Sequence, residues 1–290
     1  MRLLKLCLFI ESVSGLFCNV NTGWRDSLDV LAGVKSTLVD FHHHIAPLVL
    51  CTKISYTGLV SSNDFVVVDS ETPDKGLHAF AFKQGYLTLI AFRGTTSAAD
   101  VCADIVLDEG VVPPMCRKYS TDYVRQAWNF TMRVRDLLPE NSILLTGHSL
   151  GCSLSNLVTA MSITKLGVPI PSICFAPGST SKSFTRLNIS SSGDCSLNLY
   201  IPGDPIFELN KVGKQKSCPI AGVKEPTSCK ICSALPSRVD PACYDCFEKI
   251  HVFKNYIQAI EKIPVVPCAV TRKFNAHVKK RLKTFEAELK

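Results

Sequence analysis

Apolar residues at Leu28, Leu31, Val34, Leu38 and Phe41 recur by three and four, which predicts a helix in the first part of 24–59. Phe65–Val68 reads as a short strand. Gly76–Phe82 and Tyr86–Phe92 alternate or run apolar, and Lys83, Gln84 and Gly85 join them as a tight turn, so they predict a hairpin at the centre of a sheet. Asp122–Leu138 has helical spacing and stops before Pro139. Ile143–Leu145 is a short apolar run of the kind that forms a buried strand, and Cys152–Leu166 after it reads as a helix. Two more strands are predicted at Ser172–Ala176 and Ser196–Ile201, then a helix at His251–Glu261 and, after two prolines, a basic terminal helix. Strands alternating with helices imply an α/β fold whose mostly parallel or mixed sheet is covered by helices on both faces. No internal repeat and no low-complexity linker interrupts the pattern.

Composition narrows the class. At 290 residues the chain can bury one large α/β core. The net charge of +7 is uneven, because Thr271–Lys290 hold seven Lys/Arg against two Glu. The body is nearly neutral, and no nucleic-acid partner is expected. No internal stretch is long and apolar enough to span a bilayer. Fourteen cysteines point to an oxidising compartment or to bound metal. The N-terminus has basic Arg2 and Lys5, an apolar run Leu6–Ile10 interrupted by Glu11, and small residues at Ser14 and Gly15. Residues 1–15 are therefore expected to be a signal peptide and the protein to be secreted or held in the endomembrane lumen. Sequons at Asn129 and Asn188 are compatible with that location. Residues 16–268 form the expected catalytic domain, with a cysteine-rich excursion at about 214–247, and 269–290 the basic amphipathic helix.

The chemistry starts at Gly147-His148-Ser149-Leu150-Gly151, directly after the Ile143–Leu145 strand and before the Cys152 helix. Gly-x-Ser-x-Gly at a strand–turn–helix junction is a nucleophile elbow. The turn is crowded, so its flanking positions exclude side chains, and the helix N-terminus behind the serine offers N–H groups to an oxyanion. A serine hydroxyl needs a base, and the base needs a carboxylate to hold its tautomer. In this type of fold they follow in the order serine, acid, histidine. Asp204 sits in a Gly/Pro-bounded loop after the Ser196–Ile201 strand; Asp194 precedes that strand, and Asp240 and Asp245 lie among cysteines. His251 is the expected base, since the other downstream histidine, His277, belongs to the charged tail. His148 is expected to pack beneath the turn. His42, His43 and His44 fan around a helix and cannot converge on one ion. The oxyanion hole is assigned to the N–H of Leu150 and to Thr95 in the loop after Phe92. The chemistry calls for no cofactor.

These residues together resemble a known family. Phe92-Arg93-Gly94-Thr95, with Ser97, Asp100, Asp104 and Ile105, then the elbow pentapeptide, Phe175-Ala176-Pro177, Asp204-Pro205-Ile206, and His251 with Tyr256 are similar to the class 3 lipases, the fungal-type triacylglycerol and diacylglycerol lipase group. The resemblance spans about Leu77–Ile260. It implies an α/β-hydrolase fold, a Ser149–Asp204–His251 triad and hydrolysis of acylglycerol esters, so a lipid ester is the expected substrate. It also implies a lid from Thr96 to about Pro114, with Val101, Ile105 and Val106 facing the site and Gly110, Pro113 and Pro114 bounding the moving part. Two departures stand out: Cys152 replaces a second glycine after the elbow, and Val101 replaces a common lid aromatic.

The remaining cysteines leave alternatives open. Cys229 with Cys232, and Cys243 with Cys246, match the spacing of a four-thiolate zinc site, although disulfides are the first reading for a secreted chain. Cys102 and Cys116 bracket the lid and restrict it if bonded to each other, while Cys152 and Cys174 are expected as buried free thiols. In the tail, Phe274, Val278, Leu282, Phe285 and Leu289 form one apolar stripe. Such a helix packs on its own domain or lies on a membrane or lipid-droplet surface. The expected function is lipid ester hydrolysis by a serine lipase. The rivals are a small-ester carboxylesterase of the same fold and a catalytically silent lipase-like binding protein.

Overall fold

The computed structural model describes residues 41–58, 65–189, 195–209, 216–220 and 247–261. The expected signal peptide, the basic terminal helix and the cysteines at 229, 232, 243 and 246 lie outside these residues. The elements run α1 (Phe41–Thr57), β1 (Val66–Glu71), β2 (Ala79–Gln84), β3 (Leu87–Phe92), α2 (Ala98–Glu109), a 3-10 turn (Pro114–Cys116) and α3 (Tyr123–Leu137). They continue as β4 (Ser142–Gly147), α4 (Leu150–Leu166), β5 (Ser172–Phe175), α5 (Ser181–Leu187), β6 (Ser196–Tyr200), α6 (Pro205–Leu209), β7 (Lys216–Pro219), a π-helical turn (Phe247–His251) and α7 (Phe253–Glu261).

The seven strands form one sheet in chain order. β1, β2 and β3 are antiparallel neighbours, and β3 through β7 run parallel. The fold is thus the expected mixed α/β-hydrolase sheet flanked by helices. Strand alternation divides the core. Leu89, Ala91 and Leu144 face α1 and α7 on one side, whereas Ile90, Phe92 and Leu145 face α3 and α4 on the other. α3 presents Val124, Ala127, Phe130 and Val134 to the core at spacings of three and four, and Asp122 caps its first turn. α4 is buried from Leu150 to Ser162, as a helix covered on all sides must be.

Parallel register decides where the chemistry falls. Phe92 pairs with Gly147 at the ends of β3 and β4, and Phe175 with Leu199 on β5 and β6. The residues that follow these strands therefore emerge along one edge of the sheet, the C-terminal edge where such folds carry their sites. Close approach there explains both elbow glycines. A Cβ on Gly151 would sit 2.0 Å from the Phe92 carbonyl oxygen, and one on Gly147 would sit 2.5 Å from the Gly151 carbonyl carbon. Those neighbours are backbone and cannot swing aside. Gly151→Ala is expected to destabilise the fold by about 3 kcal/mol, read as a fall of roughly 5–10 °C in thermal midpoint; an unchanged midpoint would count against this packing.

Two disulfides lie among the described residues, Cys102–Cys116 and Cys152–Cys174. The first is the bond expected, if formed, to restrict the segment between Thr96 and Pro114. The second corrects the expectation of two free thiols. The first turn of α4 lies directly over β5, with the two Cα atoms 5.2 Å apart, which is bonding range for cysteines. Sequence spacing could not show that approach, because it arises from the β4–α4–β5 crossover. Cys195 is disulfide-bonded as well, and Cys51 is a buried free thiol. None of the described helices is long and apolar enough to cross a membrane.

Candidate active site

The elbow has the backbone expected of a strained turn. Ser149 lies at φ 56° and ψ −120°, outside the regions open to most side chains. The strain is held from three directions: a bridge pairs His148 with Phe175, the Ser149 N–H bonds the Phe175 carbonyl at 3.0 Å, and the Gly151 N–H bonds the His148 carbonyl at 3.0 Å. Ser149 thereby stands between the end of β4 and the N-terminus of α4.

Three side chains from distant parts of the chain meet here. His251 Nε2 lies 2.8 Å from Ser149 Oγ. Its Nδ1 lies 2.9 and 3.0 Å from the two oxygens of Asp204. An ionised carboxylate only accepts, so Nδ1 carries the hydrogen and Nε2 keeps its lone pair toward the serine. Asp204 and His251 are 0% and 2% exposed, so water does not compete for these bonds. Asp204 sits one residue before α6, and its Oδ1 also accepts from the N–H groups of Ile206 and Phe207 at 2.9 and 3.3 Å. Burial opposes its charge, but the facing His251 and the bonds from His251 and Tyr256 outweigh burial and hold the carboxyl below the usual carboxylate range.

His251 is not the first residue of a helix, as the pattern predicts. It closes a π-helical turn, and α7 starts two residues later at Phe253. A π turn is a common local device at functional sites. Here it aims the imidazole back at the sheet edge while Tyr256, on the next turn, donates to Asp204 Oδ2 at 2.5 Å and accepts from the Ile201 N–H at 3.1 Å. Burial, followed by the Asp204 charge, raises the Tyr256 hydroxyl far above its ordinary range, so it remains a donor. The sequence carried Tyr256 only as part of a family pattern; its position five residues after His251 on a helix was the available signal for this role.

His148 packs beneath the turn, as expected. Its ring lies 4.8 Å from that of His251 and 5.1 Å from that of Phe253, and its Nδ1 is 3.0 Å from the Tyr56 hydroxyl. Burial first, then the proximity of His251, depresses its pKa well below the ordinary histidine value, so it stays neutral. Tyr56, at the end of α1, also receives the Gly94 N–H. Nothing in the periodicity of α1 marks Tyr56 for this contact.

The loop after β3 is equally constrained. Thr95 donates through Oγ1 to Asp104 Oδ2 at 2.5 Å. Asp100, 2% exposed, accepts from the N–H groups of Thr96 and Ser97, from Arg93 at 3.2 Å and from Tyr123 at 2.9 Å. Burial works against the Asp100 charge, yet those donors hold its pKa below normal. Ser97 and Asp100 form a reciprocal capping box that starts α2. The loop and Leu150, the first residue of α4, thus flank Ser149 from two strand ends. The expected lid is largely α2. Val106 is buried at 4% exposed, while Val101 is 49% exposed and Ile105 half-buried. α2 packs on α5, where Ser183 Oγ bonds the Leu107 carbonyl and Lys182 pairs with Glu109 at 2.9 Å. Among the described residues no cluster of three metal-ligating side chains occurs.

A family-profile match agrees with the resemblance read from the motifs. The lipase of Rhizopus microsporus var. chinensis is 11% identical, covering 59% of this chain and 70% of its own, at a TM-score of 0.40. The Lip2 lipase of Yarrowia lipolytica is 13% identical over 63% and 80% of the two chains, also at 0.40. A triacylglycerol lipase from Penicillium expansum is 13% identical over 64% and 77%, at 0.38. No curated protein sequence matches. Residues 89–185 match the family profile Lipase (class 3). From the middle of β3 through the loop after it, α2 and the elbow to α5, the chain is therefore similar in sequence to class 3 lipases.

Proposed function

We propose that this protein is a serine hydrolase that cleaves carboxylic esters of lipids, tri-, di- or monoacylglycerols, through an acyl-enzyme. The reading rests on one observation: the unbroken chain of contacts Ser149 Oγ–His251 Nε2 and His251 Nδ1–Asp204 at a strained elbow. His251 takes the serine proton as Oγ attacks the ester carbonyl, and returns it to the leaving alcohol. Asp204 keeps the imidazole in the competent tautomer and balances its charge as it becomes imidazolium. The N–H of Leu150 and the Thr95 group, steadied by Asp104, stabilise the tetrahedral oxyanion. Water then releases the carboxylate by the same steps in reverse order. The disulfides fit a secreted or lumenal protein.

A short-chain alkylphosphonate probe tests the proposal. Stoichiometric labelling of Ser149 in the folded full chain is expected. No labelling, with the protein shown to be folded, would favour a silent binding protein. The Cys102–Cys116 clip and the cap on α2 also favour a second reading, a small-ester carboxylesterase with a fixed entrance. Rates on short- and long-chain p-nitrophenyl esters separate the two, since a lipase gains from an apolar acyl groove. Thr95→Val, which removes the hydroxyl that ties the loop to Asp104 and so misplaces the Thr95 N–H, is expected to lower kcat by up to about 100-fold with little change in KM.

A further inference from the structure

On the face of the sheet away from α4, α1 and α7 leave a trough of about 510 Å³ between them, lined by Lys53, Tyr56, Phe253, Lys254, Ile257 and Gln258. Its size is that of a ligand pocket, roughly 300–1,000 Å³. Its chemistry is split. Tyr56, Phe253 and Ile257 make an aromatic and aliphatic floor, with the Tyr56 and Phe253 rings stacked 5.8 Å apart. Lys53 on α1 and Lys254 on α7 are exposed, one on each wall. Neither ammonium has an acidic partner among the described residues. An apolar trough with an unpaired cation on each wall fits a ligand with a hydrocarbon tail and an anionic head.

The floor is also the back of the candidate active site. Phe253 touches the ring of His148, which in turn lies against His251. Tyr56 reaches His148 and the Gly94 N–H of the oxyanion loop. We propose that this trough is a binding site for a long-chain carboxylate, separate from the acyl position on Ser149 and in contact with the residues that back the base. A carboxylate of this kind is what ester cleavage releases. That identification of the ligand as product rests on the function proposed above; the binding does not.

The test uses full-length protein whose Ser149 is blocked by the short-chain phosphonate, or Ser149→Ala protein if the probe does not react, so that turnover plays no part. Decanoate labelled with ¹³C at the carboxyl is titrated below its micelle-forming concentration and followed by NMR. Saturable binding of one decanoate is expected. Lys53→Met with Lys254→Met should weaken it by roughly tenfold, given the modest worth of exposed ion pairs, with an unchanged thermal midpoint. Lys53→Arg with Lys254→Arg should restore it. Decanol, with the same tail and no charge, should bind at least tenfold more weakly. No saturable decanoate binding, equal binding by the methionine variant, or equal binding of decanol would each overturn the proposal. Because Ser149 is silent throughout, these outcomes are independent of whether the enzyme cleaves esters.

Discussion

Replacing Ser149 with alanine will lower hydrolysis of a soluble p-nitrophenyl ester by roughly 10⁴-fold or more, while the protein keeps its fold. The size follows from the geometry. His251 Nε2 is aimed at Ser149 Oγ, 2.8 Å away, and without that hydroxyl the imidazole has no nucleophile to activate. Members of such a unit are not additive, so losing one costs nearly the whole effect. What remains is binding and the oxyanion donors. Alanine also suits the site sterically, since its side chain is the Cβ that serine already carries at this positive φ. The check is kcat/KM alongside circular dichroism and a melting curve. A folded Ser149→Ala protein with the parent rate would refute the assignment of the nucleophile.

Asp204→Asn carries the second-largest effect. The amide is nearly the same shape, but it brings an N–H₂ into a place where every partner donates: His251 Nδ1, Tyr256, Ile206 and Phe207. The imidazole then turns to the tautomer with hydrogen on Nε2, which cannot take the serine proton. A loss of about 10⁴ in kcat is expected, with a smaller change in KM. The same substitution alters acid stability. The folded pKa of Asp204 lies below its ordinary value, so its stabilising contribution is complete above about pH 4 and is lost as the pH falls through the folded value. Melting midpoints of the parent should therefore drop more steeply below pH 4 than those of Asp204→Asn. Parallel curves would mean that this carboxylate is not held ionised by its neighbours.

Much of the site was legible because its signals are local. Gly147 and Gly151 sit where a Cβ meets backbone, and that crowding is written as glycine at two fixed offsets from Ser149. Asp204 follows a strand and a Gly/Pro turn, and His251 is the one suitable histidine after it. The strand pattern foretold six of the seven strands within a few residues, since a short apolar run bounded by turn residues is a property of neighbouring positions. β7 was hidden, because Lys216–Pro219 is short and lies in a segment rich in cysteine and lysine. Tyr56 and the Cys152–Cys174 bond were also hidden. Each joins elements that are distant along the chain, and no spacing rule links a residue on α1 to a loop after β3.

The sequence by itself determined the class of fold, the elbow, and the kinds of groups available to it, because hydrophobic period, turn residues and nucleophile chemistry act over a few positions. Only the tertiary structure decided which groups meet. The parallel register of β3 to β6 brings four strand ends to one edge, the π turn points His251 inward, and α2 settles onto α5 with Val106 covered and Val101 left in solvent. These are outcomes of packing whole elements together, where the energy depends on surfaces that a linear pattern does not bring face to face.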